Sequence, residues 1–330
     1  MRPMDPYAAV RPLLLALDPE TAHAVARTLL GLPLDWGRVG GVPDDPRLEV
    51  AVAGLRLRNP IGLAAGFDKD CSRLGPLGRL GFGYVVGGTV TRSPRVGNPR
   101  PRVVRDRRRR ALVNAMGLPN PGAAAVAERL ASTPATTSRW VSLADEALED
   151  AVAALGLVAP HADAIELNAS SPNAGWAHRA AHVEALTRAF VARARRPVFV
   201  KLPAGDAATA LAIAEAAAAG GAAGLTCANT VPVAHPRLAT GRGGLSGAPL
   251  AHRTPDLVAA VRERTGLPVH ACGGIASAAE ALACLEAGAA TIQLYTGLVF
   301  EGPGLVGRIA RGLLAELDAR GVSVAQLAGT

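Results

Sequence analysis

From about residue 59 the chain alternates short apolar runs with longer, alanine-rich stretches of helical period. The short runs, at 61–64, 84–87, 140–143, 164–168, 198–201, 224–228, 269–272 and 291–294, read as buried strands. Between them, segments such as 183–193, 207–219, 255–265 and 278–287 repeat their apolar residues at helical spacing, with glycine where helices end. Eight strand–helix units in series predict an α/β fold, a parallel (β/α)8 TIM barrel rather than an open sheet. No seam splits the barrel region, 41–330, into two globular units. Residues 48–57 predict a small hairpin plugging the bottom of the barrel.

The first forty residues follow a different pattern. Residues 7–17 and 19–30 predict two short helices joined at Asp18-Pro19, where Asp caps and Pro fits the first helical position. Val10, Leu13, Leu14 and Leu17 share one spacing, and Ala22, Val25, Ala26, Leu29 and Leu30 repeat it. Such an N-terminal two-helix extension, 1–40, could pack on the barrel or lie in a membrane interface. No stretch approaches the ~20 apolar residues of a bilayer span, and the start lacks a signal-peptide cleavage pattern. Any membrane contact is therefore expected to be peripheral, on the cytoplasmic side.

Composition refines this picture. Hydrophobic residues are 49% of the chain but aromatic residues only 3%, which predicts a core of Ala, Val and Leu rather than stacked rings. The net charge of +8 owes much to one run, Arg105 to Arg110, interrupted only by Asp106. Without interleaved aromatics that run does not read as a nucleic-acid surface; a solvated loop or a headgroup-facing patch remains. Cys71, Cys227, Cys272 and Cys284 lack metal-ligand or CxxC spacing and read as buried thiols in a reducing compartment. No metal site is expected.

Polar residues gather where the predicted strands end, at the barrel mouth that carries activity in this fold. Lys69 follows the first strand in AAGFDKD and Thr89 the second in GGTVT. Asn168, Ser171 and Asn173 follow the fourth in NASSPN, Lys201 ends the fifth, and Asn229-Thr230 end the sixth. Any one of these reads as a turn or cap; so many together do not. Three glycine clusters, GGLSG (243–247), CGG (272–274) and YTG (295–297), suit close approach of backbone N–H groups to phosphate and imply a phosphate-bearing cofactor.

In order, AAGFDKD, GGTVT, NAMG, NASSPN, VKL, ANT, GGLSG, CGGI and YTG resemble the dihydroorotate dehydrogenases. The resemblance runs from the leader to about Pro303. Serine at 171, where soluble classes carry Cys, and the leader VRPLLLALDPETAH are similar to the quinone-reducing class. It implies FMN contacted by Ala65, Gly66, Thr89, Asn168, Lys201, Gly247, Gly274, Tyr295 and Thr296. It further implies dihydroorotate held by Lys69, Asn114, Asn168, Asn173, Asn229 and Thr230. Ser171 would take the C5 proton while hydride leaves C6, and a membrane quinone would be the final acceptor in de novo pyrimidine synthesis. Lys69 suits a carboxylate, the asparagines suit amide edges, and Lys201 suits charge developing on reduced flavin.

The chain departs from that pattern at several positions. Ser142 stands where the family has a flavin-contacting Asn on the third strand. Ala174-Gly175-Trp176 replaces Thr-Pro-Gly after NASSPN, Ala115 replaces Arg and Leu118 replaces Phe. These departures motivate two alternatives, an FMN barrel acting on another cyclic amide and a non-catalytic flavin-binding homologue. Lys69 argues against a neutral ring, because it would leave that charge unpaired.

Overall fold

The structure, a computed structural model, describes residues 6–145, 147–170 and 179–329. Among these, eight parallel strands close into a barrel. In chain order they are Ile61–Leu63, Tyr84–Val90, Ser138–Leu143, Ala164–Asn168, Val198–Lys201, Gly224–Cys227, Val269–Cys272 and Ala289–Leu294. The eighth strand pairs with the first, Ile292 opposite Ile61 and Leu294 opposite Leu63, so no edge is left. The second and fourth strands are buried at every position, as strands covered on both faces must be. All eight predicted strands are present, and the helix Ala207–Ala219 matches its predicted bounds. Asp206 caps that helix by accepting from the Thr209 N–H at 2.8 Å.

The leader forms α1 (Pro6–Ala16) and α2 (Pro19–Leu30), then a third short helix, α3 (Trp36–Gly40), that the pattern did not reveal. Asp18 accepts from the N–H groups of Glu20 and Thr21 at 3.0 and 3.2 Å, and Pro19 begins α2. The hairpin Val50–Val52 with Leu55–Leu57 is antiparallel, separate from the barrel, and buries Val50, Val52 and Leu57. Among the described residues no helix is long and apolar enough to cross a membrane.

One expectation about the core is corrected. Three of the few aromatic residues meet inside the barrel, where Trp140 stacks on Tyr84 at 4.0 Å and on Phe199 at 4.5 Å. All three are fully buried, and His270 meets Phe199 edge-on at 4.6 Å. On the barrel axis these flat rings take the place of the branched aliphatics that usually fill such a barrel. Gly62 makes room for them, since a Cβ there would lie 2.2 Å from the Tyr84 ring. Around this stack the core is Ala, Val, Leu and Ile, as composition suggested.

A second sheet, absent from the sequence reading, covers the barrel mouth. Its antiparallel strands run Val231–Ala234, Arg242–Gly247, Ala111–Asn114 and Val103–Asp106. Two come from the excursion after barrel strand two and two from that after strand six. The arginine run is largely its hairpin turn. Arg107, Arg108 and Arg109 are exposed, but Arg105 donates to the carbonyls of Leu15 and Leu17 at 2.8 and 3.1 Å, and Arg110 pairs with Glu301.

Trp140→Ala is expected to destabilise the protein by about 3–5 kcal/mol in urea unfolding, through the cavity it leaves between two rings. Leu13→Ala, on a side chain 71% exposed, is expected to change stability by no more than about 0.5 kcal/mol. Equal effects of the two would contradict the stacked centre.

Candidate active site

Because barrel strands run parallel, their C-terminal ends open on one side, and there a cavity of about 750 Å³ begins. Lined by Ala65, Gly66, Lys69, Thr89, Asn114, Asn168, Lys201, Asn229, Thr230, Gly247, Gly274, Tyr295 and Thr296, it gathers every candidate residue that the structure describes. Ser171 and Asn173 lie outside the described residues. The cavity continues between the leader helices, past Tyr7, Val10, Leu14, His23, Ala26 and Leu30.

The polar wall is a connected chain. Thr89 Oγ1 lies 3.1 Å from Ser142 Oγ and accepts from Asn168 Nδ2 at 3.0 Å. Asn168 Oδ1 accepts from Ser170 Oγ at 2.6 Å, and Ser170 in turn accepts from Asn229 Nδ2 at 2.7 Å. Asn229 Oδ1 then accepts the Thr230 N–H at 2.8 Å. Each amide is thereby fixed in orientation, with its remaining hydrogen-bonding capacity turned to the cavity. Ser142 is fully buried behind Thr89 and is not among the lining residues. The accessory sheet brings Asn114 opposite Gly244, and its Nδ2 donates to the Gly244 carbonyl at 3.4 Å.

GGLSG lies in the strand Arg242–Gly247. Gly243 and Gly244 are required by packing, since a Cβ on Gly244 would lie 1.8 Å from Thr230 Oγ1. Gly247, at φ 98°, ends that strand on the cavity. The CGG cluster turns into a loop at the end of its strand and lines the cavity. Among the described residues the backbone N–H groups of Gly273, Gly274 and Ile275 find no acceptor.

Two lysines set the electrostatics. Burial, reinforced by the positive charge of Arg27, pushes the Lys69 ammonium down to about 8. Its Nζ donates to the Gly66 carbonyl at 2.7 Å. Burial alone would lower Lys201, but Cys272 and Glu166 outweigh it and leave the ammonium above its ordinary value. Burial pushes the Cys272 thiol up, against the opposing charge of Lys201. Glu166 is fully buried and accepts from Thr226 Oγ1 at 3.1 Å. Lys201 donates no hydrogen bond to any described residue and faces the cavity.

Sequence reasoning passed over Ser170, whose hydroxyl joins Asn168 to Asn229, and Gln293, a buried lining residue with both amide atoms unpartnered. Gln293 could have been found from alternation, because it lies two residues before Tyr295. Cys272, expected to be buried like the other cysteines, is half-buried and lines the cavity. The apolar leader face also divides. Val10 and Leu14 line the cavity, while Leu13, Leu17 and Val25 point outward at 71%, 40% and 37% exposure.

The family model for dihydroorotate dehydrogenase matches residues 47–317, which include the whole barrel. The chain belongs to the dihydroorotate dehydrogenase family. It is 40% identical to the dihydroorotate dehydrogenase (quinone) of Rhodospirillum rubrum, over 98% of this chain and 94% of that protein. A protein of the same description from Cereibacter sphaeroides is also 40% identical, over 95% and 94%. The crystal structure of the Eimeria tenella dihydroorotate dehydrogenase with ferulenol superposes with a TM-score of 0.85 at 28% identity, over 96% of this chain and 97% of that one. As a dihydroorotate dehydrogenase relative the chain is thus matched along its leader as well as its barrel.

Ser170→Ala is expected to leave Asn168 Oδ1 short of one donor and Asn229 Nδ2 without its acceptor. The cost should be about 1–3 kcal/mol of stability by urea unfolding. An unchanged midpoint would mean that the bridge does not form in solution.

Proposed function

We propose that this protein oxidises (S)-dihydroorotate to orotate in de novo pyrimidine synthesis, through bound FMN to a membrane quinone. The observation that carries the reading is the single cavity that joins a two-lysine amide cage to an apolar passage between leader helices. A cage for a pyrimidine carboxylate alone would need neither that volume nor that passage.

The residues present fit FMN. Lys201 faces the cavity without an acceptor, Gln293 has unsatisfied amide atoms beside it, and the N–H groups of Gly273 to Ile275 are free for phosphate. Ala65, Gly66, Thr89, Asn168, Lys201, Gly247, Gly274, Tyr295 and Thr296 would hold the cofactor. When bound, FMN supplies a two-electron acceptor that the protein itself lacks. Lys201 offers a full positive charge to negative charge developing nearby. Lys69 pairs with the substrate carboxylate, while Asn114, Asn168, Asn173, Asn229 and Thr230 read the ring's amide edges. Ser171 takes the C5 proton. The tight Thr89–Asn168–Ser170–Asn229 chain means that Asn168 and Asn229 are ordered before substrate arrives.

The leader, 1–40, is proposed as the peripheral membrane contact at the cytoplasmic face, distinct from the barrel, 41–330. Its outward Leu13 and Leu17 would enter the lipid boundary, and exposed Arg11 and Arg38 would meet headgroups. Val10 and Leu14 then line the quinone's route inward.

The purified protein is expected to be yellow and to bleach when dihydroorotate is added without oxygen. Ser171→Ala should keep the colour and orotate binding yet lose most of that bleaching. A colourless protein, or a serine variant that bleaches as fast as its parent, would overturn the cofactor or the base respectively. Leu13→Glu with Leu17→Glu should abolish binding to liposomes while leaving anaerobic bleaching unchanged; retained liposome binding would remove the leader from that role.

A further inference from the structure

The segment that presents Lys69 is an acidic triplet, Asp68-Lys69-Asp70. A lysine flanked by two carboxylates ordinarily has an internal partner ready to neutralise it. Here both carboxylates are engaged elsewhere. Asp68 accepts the N–H groups of Ser72 and Arg73 at 3.2 and 2.7 Å. Asp70 is gripped by the leader: Arg27 Nη2 donates to Asp70 Oδ1 and Oδ2 and to Ser72 Oγ, each at 2.7 Å. Arg129 adds a contact to Asp70 Oδ2 at 3.3 Å. The grip is returned, because Arg73 Nε donates to the Arg27 carbonyl at 2.9 Å. On the same face of α2, His23 meets the Phe67 ring edge-on at 5.1 Å, and Phe67 meets Tyr295. Lys69 is left with one described hydrogen bond, to the Gly66 carbonyl.

Arg27 is therefore not a free headgroup cation, which is how a leader arginine would otherwise read. Its side chain is only 28% exposed and its partner Asp70 is 26% exposed. We propose that α2 serves the substrate site as well as the passage: Arg27 is a positioning residue that sequesters the Asp70 carboxylate and so keeps Lys69 free for a substrate carboxylate. The proposal rests on the reading of Lys69 as the carboxylate-binding group. The charged and titratable groups around Lys69 are His23, Arg27, Glu20, Arg102 and Asp68. Glu20 is occupied by Arg100 and Arg102, at 3.1 and 2.9 Å, and Asp68 by two backbone N–H groups. Asp70, next to Lys69 in sequence and lining the same cavity, is the carboxylate that Arg27 holds. Burial and the Arg27 charge hold the Lys69 ammonium near 8, which matches a cation without an ionic partner.

The test compares Arg27→Gln, Asp70→Asn and the double variant in the FMN-loaded full chain, with orotate affinity read from the flavin absorbance change. Arg27→Gln is expected to weaken orotate roughly tenfold by releasing Asp70 onto Lys69. Asp70→Asn alone should stay within about threefold of the parent, and the double variant should return to about that level, because no competing carboxylate remains. A clamp that merely held the loop in shape would make Asp70→Asn as damaging as Arg27→Gln, and that result would overturn the proposal. A second readout does not depend on orotate. Trace acylation of amines at pH 8, followed on the Lys69 peptide by mass spectrometry, should fall in Arg27→Gln and recover in the double variant. Unchanged or increased Lys69 labelling in Arg27→Gln would overturn the proposal even if the protein binds no orotate. Failure of the parent to bind orotate would instead count against the functional reading alone.

Discussion

The closure of the barrel, in which the eighth strand hydrogen-bonds to the first, is the constraint on which everything else depends. It fixes all eight strands in one direction, so residues far apart in sequence end at one level. Lys201 lies opposite Asn168 on one side and Thr226 on the other because adjacent parallel strands keep that register. Alternation does the rest. Glu166, Asn168, Phe199 and Lys201 point inward from two neighbouring strands, the ring packing low and the polar groups opening above it. A slip of one residue in the strand Val198–Lys201 would turn Lys201 out toward the surrounding helices.

Inside that frame the interior changes character along its axis. The Tyr84–Trp140–Phe199 stack seals the lower part, and Thr291 satisfies both the Tyr84 hydroxyl and His270 Nδ1, at 2.7 and 2.6 Å. Burial holds His270 down to about 3, so it contributes a neutral ring rather than a second cation beneath Lys201. Toward the mouth Gln293 lines the cavity, and its unpartnered amide atoms make that surface polar. The molecule thus keeps its dry packing and its reactive surface in consecutive layers.

The barrel was legible because its strands are short, apolar and evenly spaced, and because helix ends carry glycine or a capping Asp. The residues at strand ends were legible for the same reason, since a strand boundary predicts the mouth. The accessory sheet was not. Its strands Arg242–Gly247 and Val231–Ala234 are only partly buried, and they are rich in Gly or interrupted by Pro232, residues that weaken a strand signal. Pairing between segments more than a hundred residues apart leaves no local trace. Ser170 was obscured by its neighbour in the serine pair, and Arg27 by its place on a helix whose apolar residues drew the reading toward lipid. Both act through partners elsewhere in the chain, Asn229 for one and Asp70 for the other.

That long-range sheet also sets an order in time. Asn114 takes its place only when the strand Arg242–Gly247 arrives beside it, 130 residues later for the pair Asn114 and Gly244. At ribosomal speeds of about 5–20 residues per second, the wait is on the order of ten seconds. Through that interval the hairpin Val103–Asp106 with Ala111–Asn114 lacks its neighbour, and Val104 and Val113 lack Leu238, the third member of their small cluster. A nascent chain therefore carries an open sheet edge at the future substrate wall until the strand Arg242–Gly247 has emerged. The four arginines at and beside its turn, Arg107 to Arg110, give that edge a repulsive charge of like sign, which keeps neighbouring nascent chains from pairing there first.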